Sequence, residues 1–457
     1  MSGWSGSVRR LLPIAWPVFI GQVAVLAFST VDTIVVARHD ALDLAALAIG
    51  AASYITIFVG LMGVVLAVGP IAGQLFGANR LHECGAQLHQ ATWLAIGCSV
   101  LGSTALLFPQ PFLALAHADA SVAAKARSYL ALLALALPPA LLFTAFRGFN
   151  TAVSRPKIVM LLQLGGLLLK VPLTVALVTG LPALGLPSLG VAGCGLATAI
   201  VMWTQAAVGW WIVRHDPFYQ RFGLQRGFAR PARAPLLALL RLGVPMGGSI
   251  LIEVTGFTFM TFFISRLGAG PVAGHQIAVN VVSLMFMMSL AIANASSTLV
   301  AQRVGAGDLA DARRLGWHGV EFGTLVAALL GAAVFLLREP ILRIYTGDAA
   351  VIAAAMPLLA WVALFHVADA AQTVAAFVLR AWRIAVVPLV VYVLALWGIG
   401  LGGGYALVFV WHDTPAALQG ASGYWAASTA GLTVAAFALA GYLAAMLRRQ
   451  RRLHAAA

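Results

Sequence analysis

The chain carries a succession of long apolar stretches, and these constrain its fold more than any short motif does. A helix needs about 20 apolar residues to cross a hydrocarbon core roughly 30 Å thick. Lipid offers backbone groups no hydrogen-bond partners, so such segments must be helical unless they close into a barrel, and the short alternating strands of a barrel are missing. The sequence therefore predicts an all-α polytopic membrane protein with twelve transmembrane helices. These helices are predicted at residues 11–37, 44–72, 86–108, 124–146, 158–180, 189–213, 236–266, 272–300, 314–337, 351–379, 385–411 and 420–446.

The composition supports this fold and excludes several classes of protein. Charged residues make up 9% of the chain and hydrophobic residues 61%, with a mean hydropathy of +0.95. Soluble domains carry roughly 25% charged residues, so this chain has too few charges to cover a water-exposed surface. A soluble enzyme, a nucleic-acid-binding protein and a disordered chain are therefore excluded.

The basic residues predict the orientation in the membrane. Twelve spans place both termini on one side, and taking that side as the cytoplasm puts 21 of the 28 Lys and Arg residues inside and six outside, with Lys170 within a span. Cytoplasmic loops are enriched in Lys and Arg in this way. We therefore predict cytoplasmic termini, and the net charge of +14 needs no nucleic-acid partner to explain it.

An internal repeat predicts two lobes. In the register that aligns Pro17 with Pro245, Arg38 aligns with Arg266, and the segment QLFGAN (74–79) aligns with QRVGAG (302–307) without a gap. Halves of six spans each enter the membrane in the same direction, as in transporters built from parallel repeats. We predict two pseudo-symmetric six-helix lobes around a central cleft. The predicted divisions are an N-terminal lobe at 1–213, a cytoplasmic linker at 214–235 and a C-terminal lobe at 236–457.

Four ionisable residues fall within predicted spans, where a charge costs about 2.5–3.5 kcal/mol on insertion scales. Asp32 and Lys170 have two possible explanations: each forms a structural ion pair, or its side chain reaches the membrane interface. Glu253 and Asp369 lie deep in apolar segments without a neighbouring basic residue. A proton or a metal cation such as Na⁺ would neutralise them, so these two acids predict an exchangeable cation site.

Polar and aromatic residues recur at helical spacing around these acids. Phe365 and Gln372 share a helical face with Asp369, and Phe257 lies one turn from Glu253. An aromatic ring face in this position suits a cationic ligand. Gln276 and Asn280, one helical turn apart, share a face of the eighth predicted helix.

Several segments together resemble the multidrug and toxic compound extrusion (MATE) transporters, in particular the NorM-like branch. They follow the order expected for that family over nearly the whole chain. The segments are PVFIGQVAVLAFSTVDTIVVA (17–37), GLPALG (180–185), GVAGCGLATAI (190–200), LGVPMGGSILIEVTGF (242–257), AGHQIAVN (273–280) and DAAQTVAAFVLR (369–380).

This resemblance implies a multidrug efflux antiporter, in which cationic amphipathic compounds leave the cell in exchange for Na⁺ or H⁺ by alternating access. It implies a monomer in the bacterial inner membrane, with no cofactor besides the coupling ion. Glu253, Asp369 and Asp32 match cation-site acids of the family, and Glu253 and Asp369 would ligate the metal if the ion is Na⁺. Phe365 departs from the pattern, because some relatives carry Tyr at that position. The predicted substrate-binding residues, from the resemblance and the helical faces together, are Phe257, Gln276, Asn280, Asp348, Phe365 and Gln372.

Two other functions compete with efflux. A lipid-linked oligosaccharide or lipid flippase of the same broad superfamily would also have twelve or more spans, but it would need basic residues in its cleft for a pyrophosphate. An intramembrane enzyme would need a nucleophile–base pair or a metal cluster, whereas His275 and His366 stand alone. The chain has no GxxxxGK[ST] motif, so an ATP-driven motor is excluded.

Overall fold

The computed structural model describes residues 3–115, 119–181, 185, 187–225, 227–411 and 413–455. Within them, twelve helices are long and apolar enough to cross a membrane. They are α1 (Trp4–Ala37), α2 (Ala41–Gly77), α3 (Leu81–Leu107), α4 (Ala120–Ala152), α5 (Pro156–Thr179), α6 (Val191–His215), α7 (Arg233–Ser265), α8 (Ala269–Gly305), α9 (Leu309–Leu336), α10 (Ala349–Ala381), α11 (Val386–Val410) and α12 (Ala421–Gln450). The prediction of twelve transmembrane helices is confirmed.

The helices differ from the predicted spans mainly at their ends. Several continue beyond the apolar stretch, as α4 does, because polar residues next to a bilayer can stay helical in water. α2 consists of two helical segments, Ala41–Val65 and Val68–Gly77. Short helices outside the spans lie at Gln110–Leu115, Pro217–Phe222, Arg338–Tyr345 and Ala416–Leu418. Residues 182–184 of the GLPALG segment and Arg226 of the predicted linker lie outside the described residues.

The glycine-rich part of α11 brings this helix close to α12. Wide π-helical turns cover Val393–Gly402 and Ala406–Val410. A Cβ atom at Gly404 would lie 2.5 Å from Cδ1 of Tyr424, so a larger residue would push the two helices apart. Small residues allow this close packing in membranes, where helices gain little from the hydrophobic effect.

The chain divides into two compact units, each with many contacts among its own residues. We call Ile20–Gly247 the N-terminal unit, and Met1–Phe19 together with Gly248–Ala457 the C-terminal unit. In the C-terminal unit, Leu11 and Ile14 of α1 belong to the same buried cluster as Leu379 and Leu443. Arg10 pairs with Asp311 at 2.8 Å, so charge as well as packing attaches the start of α1 to this unit.

In the N-terminal unit, the segment after α6 is attached to helices rather than extended in solvent. Trp93 Nε1 donates to the carbonyl of Ala229 at 3.0 Å, and Gln90 Nε2 donates to that of Arg230 at 2.9 Å. Arg155 pairs with Asp216 at 2.6 Å. The polar linker predicted at 214–235 therefore has a defined path over its described residues.

The compact units follow the register of the sequence repeat. One unit boundary falls after Phe19 and the other after Gly247, and these two residues align with each other when Pro17 is aligned with Pro245. Both boundaries lie inside a helix, so α1 and α7 each begin in one unit and end in the other. The lobes at 1–213 and 236–457 remain a prediction. They are divided at a polar loop, and such a division cannot show that a helix is shared by two units.

Candidate cation site

Glu253 and Asp369 line one small cavity in the C-terminal unit. Glu253 comes from α7 and Asp369 from α10, and the cavity has a volume of about 40 Å³. Asp369 is 3% exposed, and Glu253 is partly buried. Most other lining residues are apolar, so little else in the cavity solvates a carboxylate. The lining residues besides the two acids are Gly256, Phe257, Met260, Phe365, Leu396, Leu401, Ser428 and Leu432.

The size of this cavity limits what it can hold. A cavity needs an accessible volume of about 10–15 Å³ to hold one water molecule, whereas drug-sized ligands occupy pockets of about 300–1,000 Å³. A cavity of about 40 Å³ therefore has room for a proton or one small cation and is, by itself, too small to enclose an amphipathic drug. In this conformation the acids face an ion-sized space.

Two phenylalanines form the aromatic wall of the cavity. The rings of Phe257 and Phe365 meet edge to face with centroids 5.7 Å apart, and Phe365 packs against Trp425 at 5.3 Å. Phe365 is 2% exposed. Its ring offers no hydroxyl to a bound ion.

Gln372 holds Asp369 in place. Its Nε2 donates to Asp369 Oδ1 and to Thr373 Oγ1, both at 2.9 Å. The side chain is fully buried, and its Oε1 makes no hydrogen bond of ordinary geometry. Gln372 does not line the cavity, and substrate binding by this residue remains a prediction.

Two further residues belong to the electrostatic surroundings of the acids, and sequence reasoning missed both. Tyr392 of α11 is buried and interacts with Glu253, Asp369 and the side chain of Gln372. Arg380 is 3% exposed and interacts with Glu253. Arg380 follows Asp369 by about three helical turns, so the spacing could have placed it on the same face. Nothing in the sequence around Tyr392 distinguishes it from other aromatic residues in a span.

Besides Gln372, three other predicted substrate residues do not line this cavity. Gln276 and Asn280 have exposed side chains on α8, and Asn280 Nδ2 donates to the backbone carbonyl of Gln276 at 2.9 Å. Asp348 is exposed and caps the start of α10 by accepting from the N–H of Ala350 at 2.8 Å. Substrate binding by these three residues remains a prediction.

The acid of the N-terminal unit, Asp32, is paired with Lys170. Lys170 Nζ lies 2.8 Å from Oδ1 and 3.0 Å from Oδ2 of Asp32. Lys170 is fully buried, and the side chain of Asp32 is 10% exposed. The pair joins α1 to α5, so the two predicted intramembrane charges of this unit neutralise each other.

Comparisons with known proteins agree with this architecture. The MatE family model matches the chain twice, at residues 17–176 and 245–406, and the two matches begin at Pro17 and Pro245, which align in the internal repeat. The "Probable multidrug resistance protein NorM" of Aromatoleum aromaticum is 39% identical over 443 residues, which cover 96% of this chain and 94% of that protein. The chain belongs to the MatE family. The predicted family is therefore confirmed.

Other MatE relatives extend the comparison. The "Multidrug resistance protein PmpM" of Pseudomonas aeruginosa is 34% identical, covering 98% of this chain and 93% of that protein. The fold is similar to that of a eukaryotic MATE transporter, AtDTX14, with a TM-score of 0.86, 19% identity and coverage of 98% and 99%. A solved MATE in complex with MaD3S gives a TM-score of 0.87 at 17% identity, covering 98% and 97%.

Membership in the MatE family makes this chain a transporter rather than an enzyme, as predicted. The structure also accounts for His275, which the sequence left without a partner. Its Nδ1 accepts from Trp425 Nε1 at 3.2 Å, and its Nε2 lies 2.9 Å from the hydroxyl of Thr261. Both ring nitrogens of His275 therefore make hydrogen bonds to side chains of other helices.

Proposed function

We propose that this chain exports cationic amphipathic compounds across the bacterial inner membrane in exchange for Na⁺ or H⁺. The observation that carries the proposal is the pair of carboxylates, Glu253 and Asp369, facing one ion-sized cavity inside a membrane-spanning unit. The names of the MatE relatives as multidrug resistance proteins support the class of substrate. Both termini are proposed to lie in the cytoplasm, and the transporter works as a monomer.

The charge balance at the site suits a single monovalent ion. When both are ionised, Glu253 and Asp369 carry two negative charges, and the buried Arg380 interacts with Glu253. One positive charge against two negative ones leaves one negative charge uncompensated. A proton or one Na⁺ neutralises this negative charge. A cationic substrate that arrives near the same acids would compete with the ion for the charge.

This competition couples the two movements, and the gradient of the ion sets their direction. When the site opens outward, Na⁺ or H⁺ binds the acids and weakens their hold on the substrate. When it opens inward, the substrate favours release of the ion. The coupling is reciprocal, so the factor by which the ion weakens substrate binding equals the factor by which the substrate weakens ion binding.

Transport by the purified protein in liposomes tests the proposal. A fluorescent cation such as ethidium is loaded, and a Na⁺ gradient and a pH gradient are imposed separately. The wild-type protein is expected to export the dye with one or both gradients. Glu253→Gln and Asp369→Asn are expected to lose gradient-driven export while still inserting, because each removes a charge on which the ion and the substrate compete.

Glu321→Gln is the matched control, because it removes an acid from an exposed position on α9. It is expected to export the dye as the wild type does. Undiminished export by both Glu253→Gln and Asp369→Asn would contradict the proposal. Binding of a lipid pyrophosphate in preference to the dye would favour the flippase instead. The structure gives that function little support, because Lys170 is already engaged by Asp32.

Alkaline phosphatase and green fluorescent protein fusions test the orientation. Fusions near Arg80, in the linker after His215 and after the last helix are expected to be cytoplasmic. A fusion between α3 and α4 is expected to be periplasmic. Periplasmic activity at the C-terminus would contradict the proposed topology.

A further inference from the structure

The ammonium of Lys170 sits in a complete cage of oxygen atoms within the N-terminal unit. An ammonium group has three N–H donors. Besides the two carboxylate oxygens of Asp32, Lys170 Nζ donates to Thr198 Oγ1 at 2.6 Å and to the backbone carbonyl of Cys194 at 3.3 Å. All three donors therefore have acceptors, although the side chain is fully buried.

The cage is made of the atoms that would bind a free cation. Carboxylate, hydroxyl and backbone carbonyl oxygens are the ligands that hard cations prefer. Thr174 adds another oxygen, because its hydroxyl donates to Asp32 Oδ1 at 3.3 Å. Three helices supply these groups: α1 carries Asp32, α5 carries Lys170 and Thr174, and α6 carries Cys194 and Thr198. The centre of the cage is filled by a cation that is covalently attached to the chain.

We propose that the Lys170 ammonium permanently occupies a cation cage around Asp32, so that the N-terminal unit binds no exchangeable Na⁺ or H⁺. Asp32 then does not serve as the coupling-ion site that the resemblance implied. This inference rests on the proposed function. In that function, Glu253 and Asp369 alone set the number of ions exchanged per cycle. Removal of Lys170 would uncover an anionic oxygen site in the membrane.

The alternative is that Lys170 acts only as a structural brace. A brace and a tethered cation make the same contacts, but they differ in what remains after Lys170 is removed. A brace leaves a weakened protein with no new ligand. A tethered cation leaves a negatively charged oxygen cage, which takes up Na⁺ or a proton.

The test uses the full-length purified protein carrying Glu253→Gln and Asp369→Asn, so that the site of the C-terminal unit is silent. Equilibrium binding of radioactive Na⁺ and the infrared carbonyl band of a protonated carboxylic acid are measured at neutral pH. Adding Lys170→Met is expected to produce a gain of about one cation or proton per chain, since one anionic site is uncovered. Adding Asp32→Asn as well is expected to abolish that gain.

Lys157→Met is the matched control, because Lys157 lies on the same helix with an exposed side chain. It is expected to produce no gain. Lys170→Arg, which keeps the charge, is also expected to produce none. Absence of both Na⁺ uptake and a new carboxylic acid band in a folded Lys170→Met variant would overturn the proposal.

A second measurement does not depend on the folding of any Lys170 variant. The parent variant retains Asp32 and Lys170, and it is expected to bind no Na⁺ and to show no protonated carboxylic acid within the membrane. Cation binding by the parent that disappears with Asp32→Asn would also overturn the inference. If the wild type binds no ion that depends on Glu253 or Asp369, the proposed function fails instead, and the gain with Lys170→Met still decides the role of the lysine.

Discussion

The two compact units treat their intramembrane carboxylates in opposite ways. In the N-terminal unit Asp32 is paired with a buried lysine at 2.8 Å. In the C-terminal unit Glu253 and Asp369 face a cavity of about 40 Å³ without a lysine among its lining residues. A buried charge that is paired and hydrogen-bonded is a structural element, whereas a buried charge left partly uncompensated is available for an ion. Under the proposals made above, the acids of the C-terminal unit therefore take up the exchangeable cation, whereas Asp32 holds the tethered ammonium of Lys170.

The difference did not come from matching positions of the repeat. In the register that aligns Pro17 with Pro245, Glu253 aligns with Val25, and Asp32 aligns with Met260. The acids therefore occupy unrelated positions on two copies of the same scaffold. A repeat can keep its helices and its packing while each copy acquires its own site, because packing depends on many residues and a site on a few.

The largest expected effect on stability comes from the same Asp→Asn change made in each unit. Asp32→Asn leaves Lys170 buried without a charged partner, which is expected to cost about 3–5 kcal/mol. Asp369→Asn removes one of two neighbouring acids, so the free energy of unfolding is expected to change by less than about 1 kcal/mol or to rise. Equilibrium unfolding in mixed micelles measures both values. Equal losses in the two variants would break the comparison.

A smaller effect is expected when Gln372, the hydrogen-bond donor to Asp369, is removed. Gln372→Leu takes away the N–H donated at 2.9 Å, and hydrogen bonds to charged groups contribute about 1.5–3 kcal/mol. The free energy of unfolding and the rate of dye export should therefore both fall, with export more sensitive because Asp369 loses its orientation. Gln220→Leu, at an exposed position, is the control. Reduced stability with normal export would limit Gln372 to a structural role.

A packing change near the cavity separates the effects of charge from those of shape. Gly404→Ala would place a methyl group against the ring of Tyr424, and overpacking of this kind costs about 1–3 kcal/mol. Gly398→Ala on the same helix is the control, because nothing lies within 4 Å of its added Cβ. Thermal unfolding, followed by the loss of helical circular dichroism, measures the difference. Equal midpoints for the two variants would contradict the packing argument.

The smallest effect is expected at an exposed lysine–aspartate pair of the N-terminal unit. Lys125 and Asp40 lie 3.0 Å apart with side chains 37% and 38% exposed. The hydrogen bond from Lys125 lowers the pKa of Asp40, so the stability that the pair contributes is present above the unfolded pKa of about 3.9 and is lost as the pH falls through the folded value. Asp40→Asn is expected to flatten the pH dependence of unfolding slightly below a pH of about 4. If Asp40→Asn lowered the free energy of unfolding as much as Asp32→Asn does, burial would not distinguish the Lys125–Asp40 pair from the Lys170–Asp32 pair.

Much of the fold was predictable because the bilayer leaves few alternatives. Twelve apolar stretches gave twelve helices in the predicted order, and the two family matches begin at the aligned residues Pro17 and Pro245. The helix ends were less predictable, since polar residues such as Arg147 and Asn150 continue the helix of α4 beyond the predicted end at residue 146. Sharing of α1 and α7 between the two units could not be read from loops, because it depends on which surfaces pack together.

The candidate site was predictable in part. An acid within an apolar stretch is visible in the sequence, so Glu253 and Asp369 could be named, and the structure places both on one cavity. Their surroundings were not visible. Tyr392 lies on a different helix, and the amide of Gln372 could equally have pointed at a substrate or at Asp369.

By itself, the sequence determined that this chain crosses a membrane twelve times and buries acids there, because hydrophobicity and charge are properties of each residue. Only the tertiary structure decided which of those acids is neutralised. Lys170 and Asp32 are far apart along the chain, and their pairing depends on how α1, α5 and α6 pack. Electrostatic pairing acts over a few ångströms in space, whatever the separation in sequence.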